Sequence, residues 1–184
     1  FPVPDSLVAP HMEPSPSTTG EDASINRLFC SALHLVARGR VAEARPLLER
    51  LRSRAAEVPD SASAAEFRRS IDEQAGFLAW RNGEPERAAE LWSGSQQLGP
   101  FGAVWRGDVH RALGELERAE GWHLAAWRLP AAHERMGRLY EAMGRPDDAA
   151  AAYRRFVAAW EAADAPLQDR VERARERLRV LAGS

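Results

Sequence analysis

The sequence predicts an all-α chain of about four helical hairpins stacked in series and closed by a last capping helix. Two observations predict it. A glycine followed five residues later by an alanine occurs four times: Gly39/Ala44 in GRVAEA, Gly83/Ala88 in GEPERA, Gly114/Ala119 in GELERA and Gly144/Ala149 in GRPDDA. Each pair separates two runs whose apolar residues recur every three or four positions, the period of a helix face. Pro85, Pro100, Pro130 and Pro146 each open such a run, where the missing N–H costs nothing and the fixed φ suits a first helical turn. The glycine reads as a left-handed turn ending one helix, and the alanine as the small residue that lets the next helix pack closely.

Residues 1–23 contain Pro2, Pro4, Pro10, Pro14 and Pro16 among Ser, Thr and Gly20, a composition that favours an extended tail. Phe1, Val3, Leu7 and Val8 are spaced as apolar anchors on an extended backbone, the build of a groove-binding peptide. An ordinary tail without a docking role has the same composition. From Ser24, an N-cap, the face Ile25, Leu28, Phe29, Ala32, Leu33, Leu35 and Val36 runs to Gly39. Val41, Ala44, Leu47, Leu48 and Leu51 carry the partner helix to about Val58, and VPDSAS then breaks the chain. Further helices are predicted at 62–81, 85–97, 100–113, 116–129, 130–143 and 146–162. The final run from Pro166 places Leu167, Val171, Ala174, Leu178 and Leu181 on one stripe opposite Arg and Glu, as a helix shielding the end of a stack would. The domain reading is therefore a tail over 1–23, four hairpins over 24–165 and a cap over 166–184.

His133, Met136-Gly137, Tyr140, Gly144, Ala149 and Tyr153 form the fullest motif in the chain. It resembles the tetratricopeptide repeat: an aromatic, Leu-Gly, Tyr, then Ala and a second aromatic, with a period near 34 residues. The preceding hairpin keeps Gly107, Gly114 and Ala119 but has His110 and His123 in the aromatic slots. The one before it keeps Gly76, Gly83, Ala88 and Trp92. The first has Ala32 for the packing glycine and Leu35 and Leu48 for the aromatics. The resemblance spans about 25–182 and implies an α-solenoid. The segment from Arg135 onward also resembles the carboxy-terminal tetratricopeptide arrays of bacterial serine/threonine kinases and transcriptional regulators from GC-rich genomes.

In such arrays the first helix of each hairpin lines a concave groove, so the resemblance implies a protein-interaction module, or scaffold, that binds an extended peptide. By register the groove would receive Phe29 from the first hairpin, and Phe77, Trp80 and Arg81 from the second. Phe101, Asp108 and Arg111 would follow from the third, and Arg138 from the fourth, beside Glu134 and Glu141. Aromatic floor and Arg margins suit a ligand with bulky apolar side chains and some acidic character. The same aromatics also fit a plain packing role between helices. Docking of the chain's own tail, in cis or in trans, is a further expectation, as is a tail-anchored accessory subunit of a larger complex. The Lys and Asn clamp that some family members use for a terminal carboxylate is unmatched, because all 25 basic residues are Arg.

The remaining chemistry is sparse. With 25 basic and 27 acidic residues the net charge is −2, so no long-range field favours nucleic acid. No apolar run is long enough to insert in a membrane. Cys30 is the single cysteine and sits in an apolar helical run. His110, His123 and His133 fall where neighbouring hairpins meet, which fits local packing better than a metal site, since no ligand spacing accompanies them. Glu115, Glu117, Glu120, Asp147 and Asp148 lie in first turns, where negative charge complements the helix dipole. No phosphate loop, dinucleotide fingerprint or nucleophile elbow occurs, so no catalytic residue, cofactor or metal is expected. The chain begins at Phe1 and not Met: the cytoplasm is the expected compartment, with export the alternative if Phe1 is a mature amino terminus.

Overall fold

The computed structural model describes residues 24–57, 62–94, 100–162 and 164–183. The tail with Phe1, Val3, Leu7 and Val8 lies outside them, as do the break at 58–61 and the segment 95–99. The described residues form helices α1 (Ile25–Ala37), α2 (Val41–Glu57), α3 (Ala62–Arg81), α4 (Pro85–Trp92), α5 (Pro100–Ala112), α6 (Leu116–Ala125), α7 (Pro130–Ala142), α8 (Pro146–Ala159) and α9 (Ala165–Ala182), with no strand among them. The chain divides into two compact units, Phe1–Gln96 and Gln97–Ser184.

The four Gly/Ala turns are built alike. Gly39, Gly83, Gly114 and Gly144 have φ of 72°, 77°, 77° and 69°, the left-handed region that a side chain disfavours. The N–H of the next residue then reaches back five positions: Arg40 to Leu35 O, Glu84 to Ala79 O, Glu115 to His110 O and Arg145 to Tyr140 O, at 2.8–3.0 Å. That bond satisfies a carbonyl the ended helix would leave open. The carbonyls of those same four residues accept from Ala44, Ala88, Ala119 and Ala149, starting the next helix, and each of these alanines is 0% exposed.

In the first unit α1/α2 and α3/α4 are hairpins, and α3 packs on both α1 and α2. Leu28, Ala32, Leu35, Leu48, Leu51 and Ile71 are at the centre of its core, each at most 1% exposed. Ser24 caps α1 by accepting from Arg27 N–H. In the second unit α5/α6 and α7/α8 are the hairpins, α7 packs on both α5 and α6, and α9 lies along α8. Val171 and Ala174 of α9 are buried with Tyr140, Tyr153 and Phe156, and half-buried Leu178 and Leu181 extend the contact. The apolar stripe of the last helix is thus used against the α7/α8 pair, while Arg170 and Arg177 reach Glu134 and Glu141 of α7 and Glu172, Arg173, Glu176 and Arg179 are exposed.

Between the helices of three hairpins, a glycine on the first meets a ring sixteen residues later on the second. A Cβ added to Gly76 would fall inside the Trp92 indole, one on Gly107 inside the His123 imidazole, and one on Gly137 2.6 Å from the Tyr153 ring. The glycine allows the ring to lie flat against the backbone. The Trp92 indole N–H donates to Glu73 O at 3.1 Å, which satisfies its polar edge.

Three helix ends fall short of the sequence reading: α4 ends at Trp92 and not at 97, α8 ends at Ala159 and not at 162, and α6 is shortened as well. Helix α6 ends at Ala125, four residues before the predicted Leu129. Ala126 and Trp127 N–H bond three residues back, to His123 and Leu124 O, and Leu129 takes an extended ψ of 123° ahead of Pro130. A residue preceding proline is driven out of the helical region, so one continuous helix through 130 is sterically disfavoured.

Candidate functional site

The polar side chains that the register assigns to a binding face gather most densely in the second unit. On α7, Glu134, Arg138 and Glu141 follow at intervals of four and three, so one side of the helix presents them in a row. Asp108 and Arg111 come from α5, and Arg170 and Arg177 from α9. Long-range ion pairs join the three helices. Arg135 Nε donates to Asp108 Oδ2 at 2.7 Å, linking α7 to α5. Arg170 donates to Glu134 through Nε at 2.9 Å and again through Nη2, and Arg177 Nε donates to Glu141 at 3.1 Å, linking α9 to α7.

Burial sorts these groups. Asp108 is 8% exposed and Glu134 3%, so their carboxylates lie inside the packing and need the arginines that hold them. Burial pushes the Asp108 carboxyl above the ordinary carboxylate range, against the pull of Arg135, Arg111 and Arg138. Glu141 is also raised by burial, but hydrogen bonds from Arg177 and the Tyr153 hydroxyl outweigh that and leave it below its ordinary value. Tyr153 is held above its ordinary value by burial and by that same contact with Glu141.

Glu134 differs from the others in being held by two arginines. Arg138 Nη2 donates to its Oε1 at 2.5 Å, while Arg170 occupies Oε2. Arg138 keeps 52% of its side chain exposed, against 22% for Arg170. Arg111, half-buried, has no ion-pair partner among the described residues. The cluster sets five guanidinium groups (Arg111, Arg135, Arg138, Arg170, Arg177) against three carboxylates (Asp108, Glu134, Glu141), an excess of two positive charges by that count.

The remaining predicted site residues divide by unit. In the first, Phe29 and Phe77 are half-buried against the core cluster, and Trp80 is half-buried as well. Arg81 is exposed, with Nη2 3.3 Å from the position a Cβ on Gly39 would take, so it lies over that turn. The side chain of Phe101 lies outside the described residues.

The three histidines occupy separate surroundings. His110 Nδ1 lies 2.7 Å from Glu115 Oε2. His133 is half-buried, its basicity lowered by burial and then by Arg155. His123 is fully buried against Gly107, and neither ring nitrogen has a hydrogen-bond partner among the described residues. Burial, with Arg135 and Arg111 adding to it, brings its pKa down from 6.5 to about 4. The Asp108 carboxylate is 3.9 Å from its Nε2, beyond hydrogen-bond reach. Among the described residues no three His, Cys, Asp or Glu side chains are grouped to hold a metal ion, and no helix is long and apolar enough to cross a membrane.

A family model described as "Tetratricopeptide repeat" matches residues 131–160, the stretch that forms α7, its glycine turn and α8. No curated protein and no solved structure matches the chain. Repeats of this family generally mediate protein–protein interaction and are typically non-catalytic. The chain has an all-α, tetratricopeptide-like helical repeat fold, with the family's motif at 131–160.

Proposed function

We propose that this chain is a protein-interaction module whose second unit binds an extended peptide segment across α5 and α7, with Arg111 and Arg138 receiving its carboxylates. One observation carries the reading: Glu134 is held by two arginines, of which Arg138 is the exposed one. Arg138 can therefore turn to an incoming carboxylate while Arg170 continues to satisfy Glu134, so binding does not leave a buried charge bare. Arg111 enters binding without breaking an ion pair. The excess of positive charge on this face selects a ligand with acidic residues, and the planar guanidinium fork favours a bidentate carboxylate contact. In the first unit, Trp80 and Arg81 offer the apolar and cationic elements of a similar, separate contact.

Selection of a randomised displayed-peptide library on the full chain tests the reading. Enriched peptides are expected to share acidic residues beside bulky apolar ones and to compete with one another. Because Phe1, Val3, Leu7 and Val8 have the apolar chemistry of such a ligand, selection is repeated on a chain lacking residues 1–20. Failure to enrich any peptide on either chain contradicts the proposal.

A further inference from the structure

The outer surface of α6 departs from the rest of the second unit. Its solvent side carries Glu117, Gly121, Leu124 and Ala125, followed by Trp127 and Arg128 in the turn beyond, and all six are exposed. Leu124 is 46% and Trp127 57% exposed. Helix α8 begins thirty residues after α6, and its counterparts of Leu124 and Ala125 are Arg154 and Arg155, also exposed. The surface that α8 fills with charge is apolar on α6. Gly121 leaves the surface open beside it, since a Cβ built there meets no atom within 4 Å.

Of the exposed charges on this helix and its turn, Arg118 pairs with Glu115, and Glu117 and Arg128 are placed in a particular order. Glu117, Gly121 and Leu124 follow at intervals of four and three, one stripe of the helix, and Arg128 lies four residues further on, in the turn beyond it. The turn after Ala125 is held by bonds three residues back, from Ala126 and Trp127 N–H to His123 and Leu124 O. Neither Glu117 nor Arg128 has an ion-pair partner among the described residues, although the Arg128 guanidinium lies 5.6 Å from the centre of the Trp127 ring. Read from either end, the stripe is charge, small or apolar, small or apolar, opposite charge. Its own reversed copy complements it: acid meets base at both ends, and leucine meets glycine twice in the middle.

We propose that the outer face of α6 is a self-association surface, where two copies of the chain pack their α6 helices antiparallel about a two-fold axis between Gly121 and Leu124. Leu124 of each copy packs over Gly121 of the other, where no side chain stands in the way, and Glu117 of each pairs with Arg128 of the other. This is an isologous contact, so it closes at two copies and does not propagate. The apolar stripe is short and the contact falls below the standard interface of roughly 1,600 Å². The dimer is accordingly weak and concentration-dependent, and it leaves the α5/α7/α9 face of each copy uncovered.

Sedimentation equilibrium of the full chain over a wide concentration range is the test. The mass is expected to rise from 20.4 kDa toward twice that value. Leu124→Arg installs the residue type that α8 carries at this position, so the fold tolerates it, and it is expected to weaken association at least about tenfold with unchanged helical circular dichroism. Glu117→Arg and Arg128→Glu are each expected to weaken it, and the double exchange to restore it to within about threefold of the parent. A monomer at every concentration overturns the proposal. If loss of residues 1–20 then produces the dimer, the face belongs to the chain's own amino-terminal segment in place of a second copy. A dimer indifferent to Leu124→Arg, or one that the double exchange fails to restore, places the contact elsewhere and also overturns it.

Discussion

Gly137 and Tyr153 face each other across the α7/α8 hairpin so closely that a single added methyl on the glycine would lie 2.6 Å from the phenol ring. The ring cannot retreat freely, because its hydroxyl is bound to Glu141 and its body is in the core. Gly137→Ala is expected to destabilise the chain by about 1–2 kcal/mol: the overpacking cost exceeds the roughly 1 kcal/mol that alanine gains over glycine inside a helix. Gly121→Ala, on the open side of α6, is expected to stabilise a dilute chain by up to about 1 kcal/mol for the propensity reason alone. Urea denaturation of the two variants, read against the parent, checks the opposite signs.

Gly144 isolates the backbone contribution to the turn. At φ 69° a Cβ would meet nothing within 4 Å, so packing is not at issue there. Gly144→Ala is expected to cost about 1–2 kcal/mol through left-handed strain, and Gly144→Asn clearly less, because asparagine tolerates that region. The order of the thermal midpoints, parent above Asn above Ala, is the measurement.

His123 confers an acid sensitivity on the second unit. Its folded pKa, about 4, lies below the unfolded value of 6.5, so the unfolded chain binds the proton first. The stability that the neutral buried ring contributes is full above pH 6.5 and is lost as pH falls to about 4, a change on the order of 3 kcal/mol. Asp108 acts in the opposite sense, since its raised pKa relieves a buried charge as acid is added, and it offsets part of the loss. His123→Phe keeps a ring against Gly107 without a titrating group. Urea midpoints at pH 7 and pH 4.5 are expected to differ clearly less in this variant than in the parent.

The carboxylate at 134 fastens α9. Glu134→Ala removes the buried carboxylate that Arg170, 22% exposed, holds and is expected to cost about 3 kcal/mol, the range for breaking a buried pair from one side. Glu176→Ala removes an equally close pair with Arg179 that is open to water and is expected to cost under about 0.5 kcal/mol. Amide exchange in α9 should accelerate in the first variant and stay near the parent in the second.

The turns were legible because their chemistry is local. A left-handed residue calls for glycine, a first helical turn accepts proline, and a 0%-exposed contact calls for alanine, so Gly144, Pro146 and Ala149 declare their roles within six positions. The site was legible only as a set of positions. Asp108, Arg111 and Arg138 were placed on one face by register, but register cannot tell which of them is already engaged. The partners of Asp108 and Glu134 lie 27 and 36 residues away, and only the packing of successive helices decides that Asp108 is buried while Arg138 remains half open. The exposed apolar stripe of α6 was not legible in the sequence for a related reason. Leu124 and Trp127 fit a helical core pattern, and only the position of the neighbouring helices leaves them outside.

Titration of one enriched acidic peptide against the full chain, Arg138→Ala and Arg154→Ala by isothermal calorimetry tests the central claim most directly. Arg138 lies on the proposed binding face and Arg154 is an exposed residue of α8. The claim predicts that Arg138→Ala weakens binding by about tenfold or more, the scale of one charge-assisted hydrogen bond, with Arg154→Ala left at the parent affinity. Equal affinities for all three proteins, or an equal loss in both variants, would contradict it.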